Sequence, residues 1–224
     1  MPTINLIPYE NAEGLNKYLY DNFYSTENID LTATLTGFLY NKIFEMTLST
    51  GVTANSICLT NYNYNYFNPL YAEAVWKMYL REMDNCFAFF GFKETLAEPT
   101  YDMTESHAGY MIYDGKLYCS VADGNDQQRV EIIGIDCTRV QEYKIEYNKF
   151  FIKPLPVAES QLGLPAYPTT FPGIIRTWYE FAQLSNYPPK NQVHYIMQYI
   201  TNVKNNSDKR ITFNRFIYKE VYAD

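Results

Sequence analysis

Two histidines, His107 and His194, are the only imidazoles in 224 residues, and the four cysteines (Cys58, Cys86, Cys119, Cys137) stand apart with no C-x-x-C pair. That spacing offers no zinc signature, and a chain long enough to build a core does not depend on disulfide staples, so the thiols are expected to be buried and free. No G-x-G-x-x-G, Walker loop, G-x-S-x-G or H-E-x-x-H occurs. Their absence removes the common nucleotide-binding, hydrolase and zincin signatures, implies no cofactor and argues against an enzyme. Charge is scarce too: charged residues make up 19% of the chain, below the usual quarter. The longest nearly apolar run, Cys86 to Phe92, is far short of the roughly 20 residues that span a bilayer, so no membrane partner is expected. Met1-Pro2-Thr3-Ile4-Asn5-Leu6 has neither a basic nor an apolar leader region, which predicts a protein made and kept in a cytoplasm.

What the chain has instead is tyrosine and asparagine, 23 and 20 residues respectively, concentrated in the run Asn61-Tyr62-Asn63-Tyr64-Asn65-Tyr66. Tyrosine gives large rigid contact area with a polar tip, and asparagine gives adaptable hydrogen bonding, a pairing suited to protein contact. Codon bias in a low-GC genome produces the same enrichment, and Lys outnumbers Arg twelve to six. On the first reading Tyr62, Tyr64 and Tyr66 are subunit-contact residues. The net charge of −7 is uneven: residues 1–112 carry 5 basic and 13 acidic side chains, residues 113–224 carry 13 and 12. The acidic half makes nucleic acid an unlikely partner.

Hydrophobic period divides the single expected domain into three parts. Residues 1–98 read as mainly helical: Leu15, Tyr18, Leu19 and Phe23 recur at helical spacing, as do Leu31, Leu35, Phe38, Leu39, Ile43 and Met46. Asn68-Pro69 starts a third helix to about Phe90, with Leu70, Ala74, Val75, Met78, Tyr79, Met83, Cys86 and Phe87 in period and Gly91 as its stop. Residues 99–153 change to period two. Asp114-Gly115 between Tyr110–Tyr113 and Lys116–Val121 predicts a tight type I′ hairpin, with Asp123-Gly124-Asn125-Asp126 as the next turn and further strand from Tyr143 to Ile152. Residues 154–224 hold a proline-rich extended linker, two helices around Trp178 and Ile196, and a terminal extended arm from Arg210. The fold class expected is α+β.

Candidate chemistry is confined to Asp102, Glu105, Ser106 and His107, the one place where carboxylates and imidazole cluster; Asp102, Glu105 and His107 could hold a divalent metal or act as acid and base. Asp123 to Asp126 begins like a calcium loop, but Gln128 and Gly134 stand where the turn glycine and the bidentate acid belong, so it reads as a turn and no metal is expected there. The tail interleaves Lys204, Lys209, Arg210, Arg215 and Lys219 with Phe213, Phe216 and Tyr218, the texture of a single-strand binder. A terminal strand needs the same residues, and on that reading Ile211, Phe213 and Ile217 dock it on a neighbouring subunit or on the chain's own sheet.

Asn68-Pro69 through Phe87-Ala88-Phe89-Phe90-Gly91-Phe92-Lys93-Glu94 resembles the helix and aromatic-glycine turn of the upper-collar (portal) proteins of small short-tailed bacteriophages. Gln141-Glu142-Tyr143-Lys144-Ile145, and Ala166 to Pro172 leading to Trp178 and Phe181, are similar as well. The resemblance implies a virion structural protein assembled in the host cytoplasm, a head–tail connector or adaptor whose partners are copies of itself and other virion proteins. The alternatives are a monomeric phage-encoded binder of a host protein and a small metal-dependent enzyme using Asp102, Glu105 and His107.

Overall fold

The computed structural model describes residues 7–11, 14–21, 29–30, 38–42, 45–51, 57–62, 72–146, 148–155, 178–185, 188, 194–204 and 207–220. Among the described residues there is no helix, and every strand pairing is antiparallel. The first sheet runs β1 (Ile7–Asn11), β2 (Gly14–Asp21), β16 (Arg210–Glu220), β7 (Ala72–Leu80), β12 (Gln141–Glu146), β13 (Lys149–Pro154), β14 (Tyr179–Gln183). Beside this path β5 (Glu45–Ser49) pairs with β16 and with β4 (Phe38–Lys42). The second sheet runs β11 (Gln127–Ile132), β10 (Lys116–Ala122), β9 (His107–Tyr113), β8 (Cys86–Lys93), β15 (Tyr195–Asn202), β6 (Ile57–Tyr62), β3 (Ile29–Asp30).

The α+β expectation is thus corrected to all-β. β2, β4, β5, β7, β8, β14 and β15 lie where helices were expected, and their sequences explain the misreading. Ala74, Trp76, Met78 and Leu80 of β7 point into the sandwich, but outward-facing Val75 and Tyr79 are apolar as well. All eight residues of β8 are buried. A strand covered on both faces loses its period of two and cannot be told from a helix by spacing. The missed punctuation is Asn85, which turns the chain between β7 and β8 at φ +52°, a conformation asparagine tolerates better than most residues. The Asp114-Gly115 hairpin stands as read, with φ of +48° and +77° at its two central residues. Asp123 Oδ1 accepts from the amides of Asn125 and Asp126, closing the next turn.

The core between the sheets is aromatic. Trp76, Phe90, Phe92, Tyr110, Tyr143, Phe150, Phe213, Phe216 and Tyr218 meet there, mostly edge to face. Tyr110 of the second sheet ties it to the first, its hydroxyl 3.0 and 2.8 Å from the carbonyls of Lys144 and Phe151. A β-bulge at Asn214 shifts the parity of β16, so that Phe213 and Phe216 both point inward while Arg215 turns outward to Glu142. Glu142 also meets Lys153, and its side chain is only 4% exposed.

Candidate functional site

Two features draw on the second sheet, one on the side that faces away from the first and one where three chain reversals meet at its end. One is a sealed polar network and the other an open cleft.

Alternation along β8 sends Phe87, Phe89, Gly91 and Lys93 to this outer face, where Phe87 and Phe89 join Met111, Met197 and Tyr199. Residues 94–106, the connection from β8 to β9, lie across it. Met103 packs into the apolar cluster. Tyr101 stacks on Tyr113 at 4.3 Å, meets Tyr118 edge-on at 5.6 Å, and carries the Arg129 guanidinium 3.6 Å from its ring centroid. The Tyr101 carbonyl accepts from Gln127 and Arg129.

The acid–base cluster expected from the sequence is drawn into three separate partnerships. Asp102 pairs with Arg129 at 3.0 Å and is otherwise open to solvent. Glu105 is bound by the fully buried ammonium of Lys93, which also donates to Thr95 Oγ1 at 2.7 Å. His107 Nδ1 lies 2.7 Å from the Glu105 carbonyl, which can only accept, so the proton sits on Nδ1 and Nε2 accepts from the Ser120 hydroxyl at 2.8 Å. Burial lowers the His107 pKa to about 4, with the Glu105 carbonyl opposing that and the charges of Lys93 and His194 adding to it. Ser106 Oγ and His194 Nε2 form a second pair at 2.9 Å. A serine hydroxyl on an imidazole is the arrangement of an activated nucleophile, but Ser120 and His107 are both 0% exposed. No cluster of three metal-binding side chains occurs among the described residues. These groups fasten residues 94–106 to the sheet.

The open feature is a cleft of about 230 Å³ lined by Asn85, Cys86, Tyr113, Asp114, Val203 and Lys204. Three chain reversals meet there. The β7–β8 turn brings Asn85, whose carbonyl accepts from the Val203 amide at 2.9 Å at the end of β15. The β9–β10 hairpin brings Tyr113 and Asp114, and its Gly115 amide donates to the Met83 carbonyl at 3.3 Å. Lys204 is set by its amide, which donates to Asn202 Oδ1 at 3.2 Å. Cys86 lines the cleft as a neutral thiol that donates to the Met83 carbonyl at 3.2 Å, its pKa pushed up to about 12 by burial first and by the charges of Cys137 and Asp84. Tyr113, which lines the cleft, is 36% exposed and has Tyr101 stacked on one face of its ring. An aromatic face beside an amide, a carboxylate and an ammonium suits a small ligand with apolar C–H surface and several hydroxyls.

The remaining sequence-derived positions lie elsewhere. Tyr62 ends β6, while Tyr64 and Tyr66 fall outside the described residues. Ile211 and Phe213 are fully buried in the chain's own core, and Ile217 lies on the outer side of the first sheet, in register with Val75. Of the tail cations, Lys209 meets Glu82, Arg210 meets Asp208 and Arg215 meets Glu142, and the strand carrying them is central in its sheet. Cys86, Cys119 and Cys137 are buried and free, as expected. Sequence reasoning missed Asn85, Tyr113, Asp114 and Lys204 as a site; the one local signal was Asp114-Gly115, which marks a turn and not a ligand.

No family model matches the sequence. No curated protein matches it either. Solved structures do. The chain is similar to a protein of unknown function from Shewanella oneidensis MR-1 (TM-score 0.53, 13% identity, covering 93% of this chain and 90% of that one). It is also similar to a β-glucanase of Bacillus licheniformis (0.56, 15%, 92% and 98%) and to the exoplasmic/lumenal domain of VIP36 in its Ca2+/Man3GlcNAc-bound form (0.51, 7%, 89% and 86%). These findings overturn the portal resemblance and, with it, the reading as a virion connector or phage-encoded binder: the described parts of the segments that carried it, in β7, β8, β12 and β14, are strands of a sandwich, while Ala166 to Pro172 lie outside the described residues. The fold is the β-sandwich jelly roll shared by glucanases and lectin-like proteins.

Proposed function

We propose that this protein binds carbohydrate, holding a sugar in the cleft beside Tyr113 without cleaving it. The observation that carries the reading is the cleft itself: Tyr113, Asn85 and Asp114 bordering a space below the roughly 300 Å³ of a drug-sized pocket, on a fold similar to that of a glucanase and a glycan-bound domain. The ring offers the apolar side of a sugar a flat contact, Asn85 can donate and accept, and Asp114 accepts hydroxyl protons.

The carboxylates among the described residues support binding over hydrolysis. Glycoside cleavage needs two of them flanking the scissile bond, about 5–9.5 Å apart, with one made a general acid by burial. Glu105 and Asp102 are committed to Lys93 and Arg129. Asp84 and Asp114 are exposed, and neither is a buried carboxyl of the kind that serves as the general acid.

Screening the folded protein against an array of immobilised glycans tests the reading, followed by a reducing-end assay on every glycan retained. Retention with no new reducing ends is expected. Turnover at a rate that survives repurification makes the protein a hydrolase, and retention of no glycan at all removes the proposal.

A further inference from the structure

The charges around the cleft narrow the kind of sugar it takes, an inference that rests on the carbohydrate-binding reading above. Asp114 lines the cleft directly. Asp84 lies beside the same rim, its Oδ1 only 2.9 Å from where a side-chain carbon on Gly115 would sit. Among the described residues neither carboxylate is engaged in an ion pair. Among the described residues Lys204 is the single cation lining the cleft; it is exposed, on a long flexible stem. Such an ammonium contributes little at a wet surface, because ordering its stem offsets most of the attraction it gains. The nearby Lys116 is committed to Glu131 at 3.0 Å.

We infer that the cleft selects uncharged sugars and discriminates against uronic acids, sialic acids and other anionic sugars, with Asp114 as the residue that makes the distinction. A carboxylate accepts hydrogen bonds and cannot donate them, so Asp114 is matched by sugar hydroxyls and opposed by a second carboxylate. A like-charge approach of about 4 Å through water weakens affinity about fivefold, and the second carboxylate adds to this at longer range.

The probes are the methyl glycosides of glucose, galactose and mannose and of the three corresponding uronic acids, titrated against the 224-residue chain by NMR at low ionic strength. Asp114→Asn is the informative variant. Asn-Gly suits the same type I′ turn, and asparagine tolerates the φ of +48° found at this position, so the hairpin is kept while the charge is removed. The expected result is that at least one neutral glycoside binds about fivefold or more tightly than its uronic acid, that Asp114→Asn brings the ratio towards one, and that raising salt does the same. A uronic acid that binds as well as or better than its neutral counterpart overturns the charge assignment and leaves the sugar site standing. A preference for the neutral sugar that Asp114→Asn does not change overturns the role of Asp114. Failure of all six probes, with no glycan retained on the array, overturns this inference together with the reading beneath it.

Discussion

Gly91 of β8 and Gly109 of β9 stand directly opposite each other in the second sheet, and the ring of Phe89 lies over Gly109. A side-chain carbon on Gly109 would sit 2.3 Å from that ring, and one on Gly91 would sit 2.4 Å from the Ala108 carbonyl oxygen. The missing side chain on Gly109 lets Phe89 fill the outer face beneath residues 94–106, and the one missing on Gly91 lets the backbone of β9 come close to β8.

Gly109→Ala is therefore expected to destabilise the protein by about 1–3 kcal/mol through overpacking. Gly91→Ala is expected to cost more, because the obstructing atom is backbone and cannot swing aside. Urea unfolding midpoints read both. Midpoints equal to wild type would show that the two strands have slack the geometry denies.

The Ser120–His107 pair gives stability a pH dependence of known sign. His107 titrates near 4 in the fold against 6.5 ordinarily, so between those values the unfolded chain takes up a proton that the folded one refuses. Its contribution is complete above pH 6.5 and is lost as pH falls towards 4, amounting to about 3 kcal/mol at most. The groups facing the ring are Glu105, Lys93 and His194. In His107→Gln the loss of stability over that window is expected to be shallower than in wild type. Parallel curves for the two proteins would mean that the ring is protonated in the fold after all.

On the outer side of the first sheet, Glu142 holds both Arg215 and Lys153 from a nearly buried position. Glu142→Gln keeps the shape and removes the charge. Because Arg215 and Lys153 retain access to water, the expected cost is about 1–3 kcal/mol rather than the larger penalty of a sealed pair. Chemical denaturation at low and high salt measures it, and a variant as stable as wild type in both would assign the triad no energetic role.

The β-meander from β9 to β11 was legible because Asp114-Gly115 and Asp123-Gly124 name their turns and the strands between them alternate. β7, β8 and β15 were not, because aromatic and aliphatic side chains fill both faces of each strand, leaving spacings that fit a helix equally well. Asn85 marks the decisive reversal without a glycine or proline beside it. The cleft was illegible for a different reason. Asn85, Tyr113 and Lys204 are far apart in the chain and meet only because β8 pairs with both β9 and β15, a consequence of sheet order that no local pattern carries. Asp102, Glu105 and His107 failed in the opposite way: they are neighbours in sequence whose partners, Arg129, Lys93 and Ser120, come from elsewhere and pull them apart.

The measurement that tests the central claim most directly is the affinity of Tyr113→Ala for a glycan that the wild-type protein retains. Tyr113 is partly exposed at the end of β9, and its contacts with Tyr101 and Phe87 are worth about 0.5–1.5 kcal/mol each, so the variant is expected to fold. Its circular dichroism and its sealed His107–Ser120 network should match wild type. The account expects affinity to fall by about tenfold or more while folding is preserved, the loss typical of removing an aromatic anchor. A folded Tyr113→Ala protein that binds the same glycan with undiminished affinity would contradict it.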